Sequence, residues 1–418
     1  MMKNDIYKAQ WLAEEAIAHI HGWDFSHIND RYTEESDLPW DYRAEALDAL
    51  RPDSRILDLD TGGGEFLLSL GHPPSLTAAT EHFAPNVELC RKTLLPLGVD
   101  FRDAAANGLL PFPDGCFDLV LNRHGSFDPQ EVFRVLRPGG VFLTQQVGEH
   151  NDRELVELLL PGCRPSFPGW SMAPVAEHLK AAGFSLLKQE ESFTPIRFFD
   201  VGALVWFARI IQWEFPGFSV ERCFDRLLEA QKLVEQQGEV SGHAHRFLLK
   251  ARKPLGPVRF RQAEAGDLDK VLALYRSCAV FGPTHGNGSW GEDYPSRDTV
   301  REDLDNEGLF LLETENEIIA AVSLVPRDDW DALDCWTGDR SCTLSRLCVK
   351  PQLQKMHLAE RVMEEVSRVA NARGYRSTRH GCLVTNVAGN RLYQRMGYAD
   401  RGKAVIYGHE YRCFERIL

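Results

Sequence analysis

Hydrophobic positions along this chain recur first with the period of a helix and then in short apolar runs. Ile6, Trp11, Leu12, Ala16 and Ile20 fall roughly on one side, so residues 5–20 read as an amphipathic helix. A polar-aromatic stretch follows, Gly22-Trp23-Asp24-Phe25-Ser26 and then Pro39-Trp40-Asp41-Tyr42. It can form a lid over a ligand or pin an N-terminal arm to the core. Ile56, Leu57 and Leu59 mark a buried strand. Glycines 62–64 break it, and Phe66-Leu67-Leu68 starts a helix. Further strands are expected at 75–81, 99–103, 117–122 and 141–147, with helices at 85–97 and 129–136 and a turn at Arg137-Pro138-Gly139-Gly140. This order predicts an α/β fold, a doubly wound parallel sheet with its ligand at the carboxyl ends of the strands. Residues 174–251 read as helix, strand, insertion and strand. The insertion holds an apolar segment at 201–211 and a helix at 220–237. It can wall a substrate pocket or serve as a packing or dimer element.

Lys253-Pro254-Leu255-Gly256-Pro257 interrupts these patterns with two prolines and a glycine. Beyond it the pattern is mixed α/β. Strands are expected at 258–262, 309–313, 318–325 and 343–349, and helices near 267–277 and 297–305. A further helix should run to residue 372. A length of 418 residues exceeds one ordinary domain. The chain therefore divides into residues 1–252, a linker at 253–257 and residues 258–418.

Composition narrows the function. With 44% hydrophobic and 26% charged residues the chain is of ordinary globular type. A net charge of −14 argues against broad nonspecific binding to nucleic acid or anionic membranes, though it leaves room for a local basic patch. Ten cysteines without a CxxC pair suggest no zinc site and no disulfide framework, so a reducing cytoplasmic setting is expected and no metal is assigned. Glu14, Glu15, His19 and His21 interrupt residues 1–30, so neither a signal peptide nor a membrane span is expected. Asn287-Gly288-Ser289 matches a glycosylation acceptor and, without a secretory signal, is read as coincidence.

The chemistry of the first half gathers at the glycine turn. Glycine lets a ligand approach the backbone closely, and a helix end favours polar or anionic groups. Glu81 closes the second strand, 17 residues after Gly64, where a carboxylate can accept hydrogen bonds from both hydroxyls of a ribose. A dinucleotide and an S-adenosyl nucleoside are both held in this way. Leu67 stands where a dinucleotide site has its third glycine, so that spacing fails. The chain also carries Leu110-Pro111-Phe112-Pro113-Asp114-Gly115-Cys116-Phe117-Asp118-Leu119-Val120, then Val135-Leu136-Arg137-Pro138-Gly139-Gly140.

On these motifs, residues 5–252 resemble the class I S-adenosylmethionine-dependent methyltransferases, with their Rossmann-like sheet. The resemblance implies that Asp58, Gly62 and Gly64 line the methionine part of the cofactor and that Glu81 holds its ribose. Asp103 and Ala104 would sit near the adenine. Asn122, Arg123 and His124 would face the methyl-transfer space. The family usually has glycine where this chain has Asp60, whose carboxylate can repel the methionine carboxylate or pair with the ammonium or sulfonium. Methyl transfer needs alignment more than a protein base. If the acceptor must lose a proton, His124 is the candidate base; the other reading is a structural histidine at the strand end.

In the second half, Val349-Lys350-Pro351 ends a strand and Gln354-Lys355-Met356-His357-Leu358-Ala359 feeds a helix, the arrangement of an anion site. Asn386, Asn390 and Tyr393 follow at spacings of four and three, on one helical face. Residues 257–418 thus resemble the GNAT acetyltransferase superfamily. The resemblance implies that Leu347 and Val349 offer backbone groups to pantetheine and that Gln354, Lys355, Met356, His357, Leu358 and Ala359 cradle the pyrophosphate of acetyl-CoA. Asn386, with Asn390 on the same face, would contact the coenzyme, and Tyr393 would protonate the leaving thiolate. His357 replaces a family glycine and Gly389 a family alanine. Tyr393 can also be a core aromatic. Glu313, Asp328 and Asp329 are candidates for the base that deprotonates an amine.

The resulting expectation is a bifunctional transferase, using S-adenosylmethionine and acetyl-CoA on small-molecule or peptide-like acceptors. Asp60 and His357 keep a second reading open, in which one domain is active and the other is a degenerate ligand-binding partner. The sequence is silent on oligomeric state.

Overall fold

Apolar runs such as Ile56–Leu59 and Ile318–Val325 form buried strands, and the strands gather into two separate sheets. The computed structural model describes residues 3–19, 25–35, 37–104, 108–283 and 286–418. The chain divides into two compact units, Met1–Leu50 with Ser54–Pro254, and Arg51–Asp53 with Leu255–Leu418. Among the described residues, no helix is long and apolar enough to cross a membrane.

The first unit runs α1 (Lys3–Ile17), β1 (Tyr32–Glu34), α2 (Tyr42–Ala49), β2 (Ile56–Leu59), α3 (Glu65–Ser69), β3 (Thr77–Glu81), α4 (Ala84–Thr93), β4 (Asp100–Asp103), β5 (Phe117–Arg123) and α5 (Pro129–Val135). It continues with β6 (Leu136–Val147), α6 (Arg153–Leu159), α7 (Met172–Ala181), β7 (Ser185–Phe198), α8 (Val201–Ile210), α9 (Val220–Gln237) and β8 (Val240–Arg252). The sheet order is β1-β7-β8-β6-β5-β2-β3-β4. β2 is buried at every position and pairs in parallel with β3 on one side and β5 on the other. Strand order reverses at β2 and β5, and a crevice opens at the carboxyl ends of strands where that happens. The expected parallel core is present from β4 to β6. β8 runs antiparallel to both β6 and β7, and β7 and β1 extend the sheet beyond it.

Two local expectations differ. Arg137-Pro138-Gly139-Gly140 is not a turn between elements. It is a bulge inside β6, where the register slips between Phe117/Leu119, and pairing survives because Gly139 N–H donates to Lys253 O while Lys253 N–H donates to Gly140 O. The helix expected to reach residue 97 ends at Thr93, and Leu95-Pro96-Leu97 forms a tighter turn. The apolar segment after residue 200 is helix α8, buried from Val201 to Ala208. With Trp11 of α1 and with Val220, Cys223 and Leu227 of α9 it builds a core of its own, so this insertion is a packing element.

Trp40 and Tyr42 are buried against the sheet. The Tyr42 hydroxyl donates to Asn122 O and accepts from Asn122 N–H. Of the two readings of the aromatic stretch, pinning holds for Trp40 and Tyr42. Gly22-Trp23-Asp24 lies outside the described residues.

The second unit runs β9 (Arg259–Gln262), α10 (Leu268–Phe281), α11 (Arg297–Asp305), β10 (Leu309–Glu313), β11 (Ile318–Val325), β12 (Ser341–Val349), α12 (Leu358–Ala372), β13 (Ser377–Leu383), α13 (Val387–Arg395), β14 (Ala399–Ile406) and β15 (His409–Ile417). Its sheet order is β14-β15-β13-β12-β11-β10-β9. The β12–β13 pair is parallel and spans only Ser341↔Ser377 to Thr343↔Arg379. Beyond Thr343 the two strands part. β12 continues along β11 to Val349 with an irregular register, and Arg346 takes φ +52° there. α12 buries Leu358, Val362, Met363, Val366 and Ala370 in the core of this sheet.

Candidate functional site

In the first unit the site is built on the turn after β2. Gly62 takes φ +66°, and a Cβ placed there would meet nothing within 4 Å, so its outer face is open. An open, left-handed glycine at a switch point lets a nucleoside ligand lie on the backbone, which fits S-adenosylmethionine. Gly64 is different: it is buried, and a Cβ there would lie 2.7 Å from Leu94. Its role is to let the turn pack on α4. α3 is a single short helix of 5 residues, so its dipole contributes little.

Asp60 takes φ +52°, the left-handed backbone that a glycine would take freely and other residues adopt at a cost of about 1–2 kcal/mol. Gly125 compensates, since a Cβ on it would lie 2.5 Å from the Asp60 Cβ. The Asp60 carboxylate faces His82 Nδ1 at 3.0 Å. Burial raises the Asp60 carboxyl, and its hydrogen bond to His82 raises that imidazole. Asp58 is buried, accepts the Thr61 hydroxyl at 2.7 Å and is pushed by burial up to about 7. Glu81 is buried as well; its carboxylate accepts from Gly62 N–H at 2.9 Å and from His82 and Phe83 N–H, both at 2.8 Å. The sequence suggested no metal cluster. Folding brings ligand atoms of Asp60, Glu81 and His82 within 4.8 Å of one another, a spacing able to hold an ion, and the hydrogen bonds above already engage all three.

Several expected roles meet geometry that restricts them. Asn122 is buried and locked: its Nδ2 donates to Leu59 O, and its Oδ1 accepts from Thr144 and Gln146. It braces β2 against β5 and β6 and does not present its amide to a ligand. Ala104 N–H donates to Glu81 O, and the Asp103 carboxylate pairs with Arg91, so both stand beside Glu81 with these groups engaged. His124, at φ +65°, is exposed. Trp40 Nε1–H donates to Gln145 Oε1 at 2.8 Å, which turns the Gln145 amide N–H toward His124 Nε2 at 3.2 Å. The Nε2 lone pair is therefore engaged. Partial desolvation and the nearby Arg246 and Arg123 hold this imidazole below its ordinary range, an effect that exposure to solvent moderates. These features fit the structural reading of His124 better than the basic one. The Trp40–Gln145 link escaped sequence reasoning because 105 residues separate its partners.

In the second unit, parting of β12 from β13 beyond Thr343 frees one edge of the strand that carries Leu347 and Val349. Strand edges present backbone donors and acceptors to a ligand. The loop from Gln354 ends at His357, φ +56°, the N-cap of α12, with no side-chain cap. Lys355 takes φ +65°. Leu358 is buried and Met356 and Ala359 pack on the core, so these three can offer a ligand only their backbone. The His357 side chain is 85% exposed and does not fill the cradle. His357→Gly should therefore raise stability by about 0.5–1 kcal/mol through relief of the left-handed backbone, without weakening coenzyme binding. Thermal melts with and without acetyl-CoA check both parts.

Asn386 is the N-cap of α13: its Oδ1 accepts Gly389 N–H at 2.9 Å. Asn390 Nδ2 donates to Leu383 O and Asn386 O. Both bind α13 to β13, and contact of Asn386 with coenzyme is left to its remaining N–H groups. Gly389 has a packing reason, since a Cβ there would lie 2.8 Å from Cys382 Sγ. Tyr393 is buried against His380, Tyr398 and Phe414, and burial, Cys382 and Tyr398 together raise its phenol well above the usual range. It keeps its proton until a stronger base takes it.

The three candidate bases separate cleanly. Glu313 is paired with Arg259 and Arg261, which lower its carboxyl. Asp329 accepts the Tyr407 hydroxyl at 2.9 Å. Asp328 accepts the Thr343 hydroxyl at 3.0 Å and is pushed by burial up to about 6. Thr343 is the last β12 residue paired with β13, so Asp328 stands where the strands begin to part.

Comparison with known proteins agrees with this geometry. Residues 57–144 match the sequence model described as a methyltransferase domain, and residues 269–398 match the acetyltransferase (GNAT) family. The demethylmenaquinone methyltransferase of Thermus thermophilus is 36% identical over 115 residues, 25% of this chain and 52% of that protein. The fatty-acid O-methyltransferase of Mycolicibacterium smegmatis is 35% identical over 111 residues, 24% of this chain and 40% of that one. The chain thus spans about half, or less, of the length of these curated relatives. A GNAT-family acetyltransferase structure from Streptococcus agalactiae covers 39% of this chain and 96% of its own, at 18% identity and a TM-score of 0.34. The chain carries a methyltransferase domain followed by a domain of the acetyltransferase (GNAT) family, fused in one polypeptide.

Proposed function

We propose that the protein is a bifunctional transferase, moving a methyl group from S-adenosylmethionine with its first unit and an acetyl group from acetyl-CoA with its second. The boundary we assign lies at residues 253–257. The acceptors of both units are small molecules or peptide-like amines. One observation carries the reading. Both units keep the backbone of a ligand cradle at the departures that threatened it: Asp60 and His357 each hold the left-handed geometry of the glycine they replace.

In the first unit, Gly62 and Asp58 would hold the methionine part of the cofactor and Glu81 its ribose. The cofactor supplies an activated methyl group. Arg123 and His124 bound the space at the end of β5 where an acceptor would be aligned, and alignment alone can account for much of the rate. In the second unit, the freed edge of β12 and the first N–H groups of α12 would hold the coenzyme. Asp328 would take a proton from the acceptor amine. Tyr393 would hold the proton that the leaving sulfur needs.

A second reading, with the first unit kept only as a ligand-binding partner, draws on Asp60. Its carboxylate, paired with His82 at 3.0 Å, stands where the family has glycine.

A base works when ionised, so with a carboxyl at about 6 acetyl transfer should rise with pH through about 6. In Asp328→Asn that limb should disappear and kcat fall by about 100-fold, a loss typical of removing a general base. Initial rates on a panel of amines between pH 5 and 8 test this; an unchanged profile removes Asp328 from the mechanism.

A further inference from the structure

The end of β5 carries a cation, Arg123, that lies outside the ion pairs formed among the described residues. Arg123 is exposed, and its guanidinium stacks over the Phe66 ring at 4.9 Å, at the start of the helix behind the glycine turn. Among the described residues it forms no ion pair within 4 Å. Three carboxylates stand at the neighbouring strand ends, and each is engaged elsewhere: Asp58 by Thr61, Asp60 by His82, and Glu81 by backbone N–H groups. Arg123 still acts on Asp58, whose ionised form it favours. The turn thus carries a guanidinium stacked on Phe66 and near enough to act on Asp58, with Asp60 and Glu81 at the ends of β2 and β3.

A ligand that matches this pattern carries one anionic and more than one cationic group. S-adenosylmethionine has an α-carboxylate, an α-ammonium and a sulfonium. Placed on this turn with Asp60 in the family's glycine position, its carboxylate would meet like charge unless a cation stood beside it. A guanidinium pairs with a carboxylate in a two-pronged, charge-assisted geometry, and stacking on Phe66 holds its plane in place before the ligand arrives.

We propose that Arg123 receives the α-carboxylate of S-adenosylmethionine and so offsets the repulsion that Asp60 introduces. The assignment rests on the methyltransferase reading, and the test separates the two. Titration calorimetry of the full chain would compare S-adenosylmethionine with decarboxylated S-adenosylmethionine, which keeps the sulfonium and an ammonium and lacks only the carboxylate. The parent should prefer the intact cofactor by about 10- to 100-fold, the range for a hydrogen bond to a charged group. In Arg123→Ala the preference should shrink to less than about 3-fold while affinity for the decarboxylated compound holds within about 2-fold. Arg123→Lys should fall between, since it keeps charge and loses the fork. A preference that survives intact in Arg123→Ala overturns the assignment, as does a parent that binds both compounds equally. A parent that binds neither overturns the methyltransferase reading itself.

Discussion

Glu81→Ala should lower the affinity for S-adenosylmethionine by at least about 100-fold and cost the first unit about 2–4 kcal/mol of stability. Both effects follow from one carboxylate. In the folded chain it accepts three backbone N–H groups, from Gly62, His82 and Phe83, and so holds the glycine turn after β2 to the start of α4. Alanine removes the acceptor of all three; His82 and Phe83 are exposed and their N–H groups can turn to water, so the loss stays near that of one or two unpaired donors, at about 1–3 kcal/mol each. The same residue is the candidate for the ribose hydroxyls. Glu81→Gln separates the two roles. An amide keeps one acceptor oxygen and nearly the same shape, so the stability loss should be smaller while nucleoside binding still falls by about 10-fold. Thermal melts read the first quantity and calorimetry the second. A Glu81→Ala variant that binds cofactor normally would remove the ribose from this site.

Tyr393→Phe should lower kcat for acetyl transfer by about 100-fold and leave acetyl-CoA affinity within about 2-fold. The substitution deletes one hydroxyl and keeps the ring that packs on His380 and Phe414. A loss confined to kcat therefore reports the proton and not the packing. Burial raises its pKa, so the phenol carries its proton at neutral pH, and the same burial makes it a weaker acid toward the leaving sulfur. Unchanged turnover would make Tyr393 a core aromatic.

Periodicity located several buried strands but missed β13, whose Ser-Thr-Arg-His-Gly-Cys-Leu sequence is buried without being apolar. β2, β3, β5 and β10 to β12 fall close to the apolar runs that predicted them. Where a glycine pair served pairing and not chain reversal, as at Gly139-Gly140, composition pointed the wrong way, since only the partner strand shows that β6 continues. The glycine turn after β2 and the acid that closes β3 were legible from glycines 62–64 and Glu81. Their details were not. The compensation of Asp60 by Gly125, the capping duty of Asn386 and the locking of Asn122 each depend on neighbours brought together by tertiary packing. Glu313, Asp328 and Asp329 are equal in the sequence, and only tertiary packing sets Thr343 beside Asp328 and two arginines beside Glu313. Gln145 carried no sequence signal, because a glutamine at a strand end has no distinctive spacing.

The central claim is that one chain holds two working cofactor sites. Titration calorimetry of the full chain with S-adenosylmethionine and with acetyl-CoA, each alone, tests it most directly. The account predicts saturable binding of both, at one equivalent each. Binding of only one would contradict the two-site claim and favour a degenerate partner domain, and binding of neither would contradict the enzymatic reading altogether.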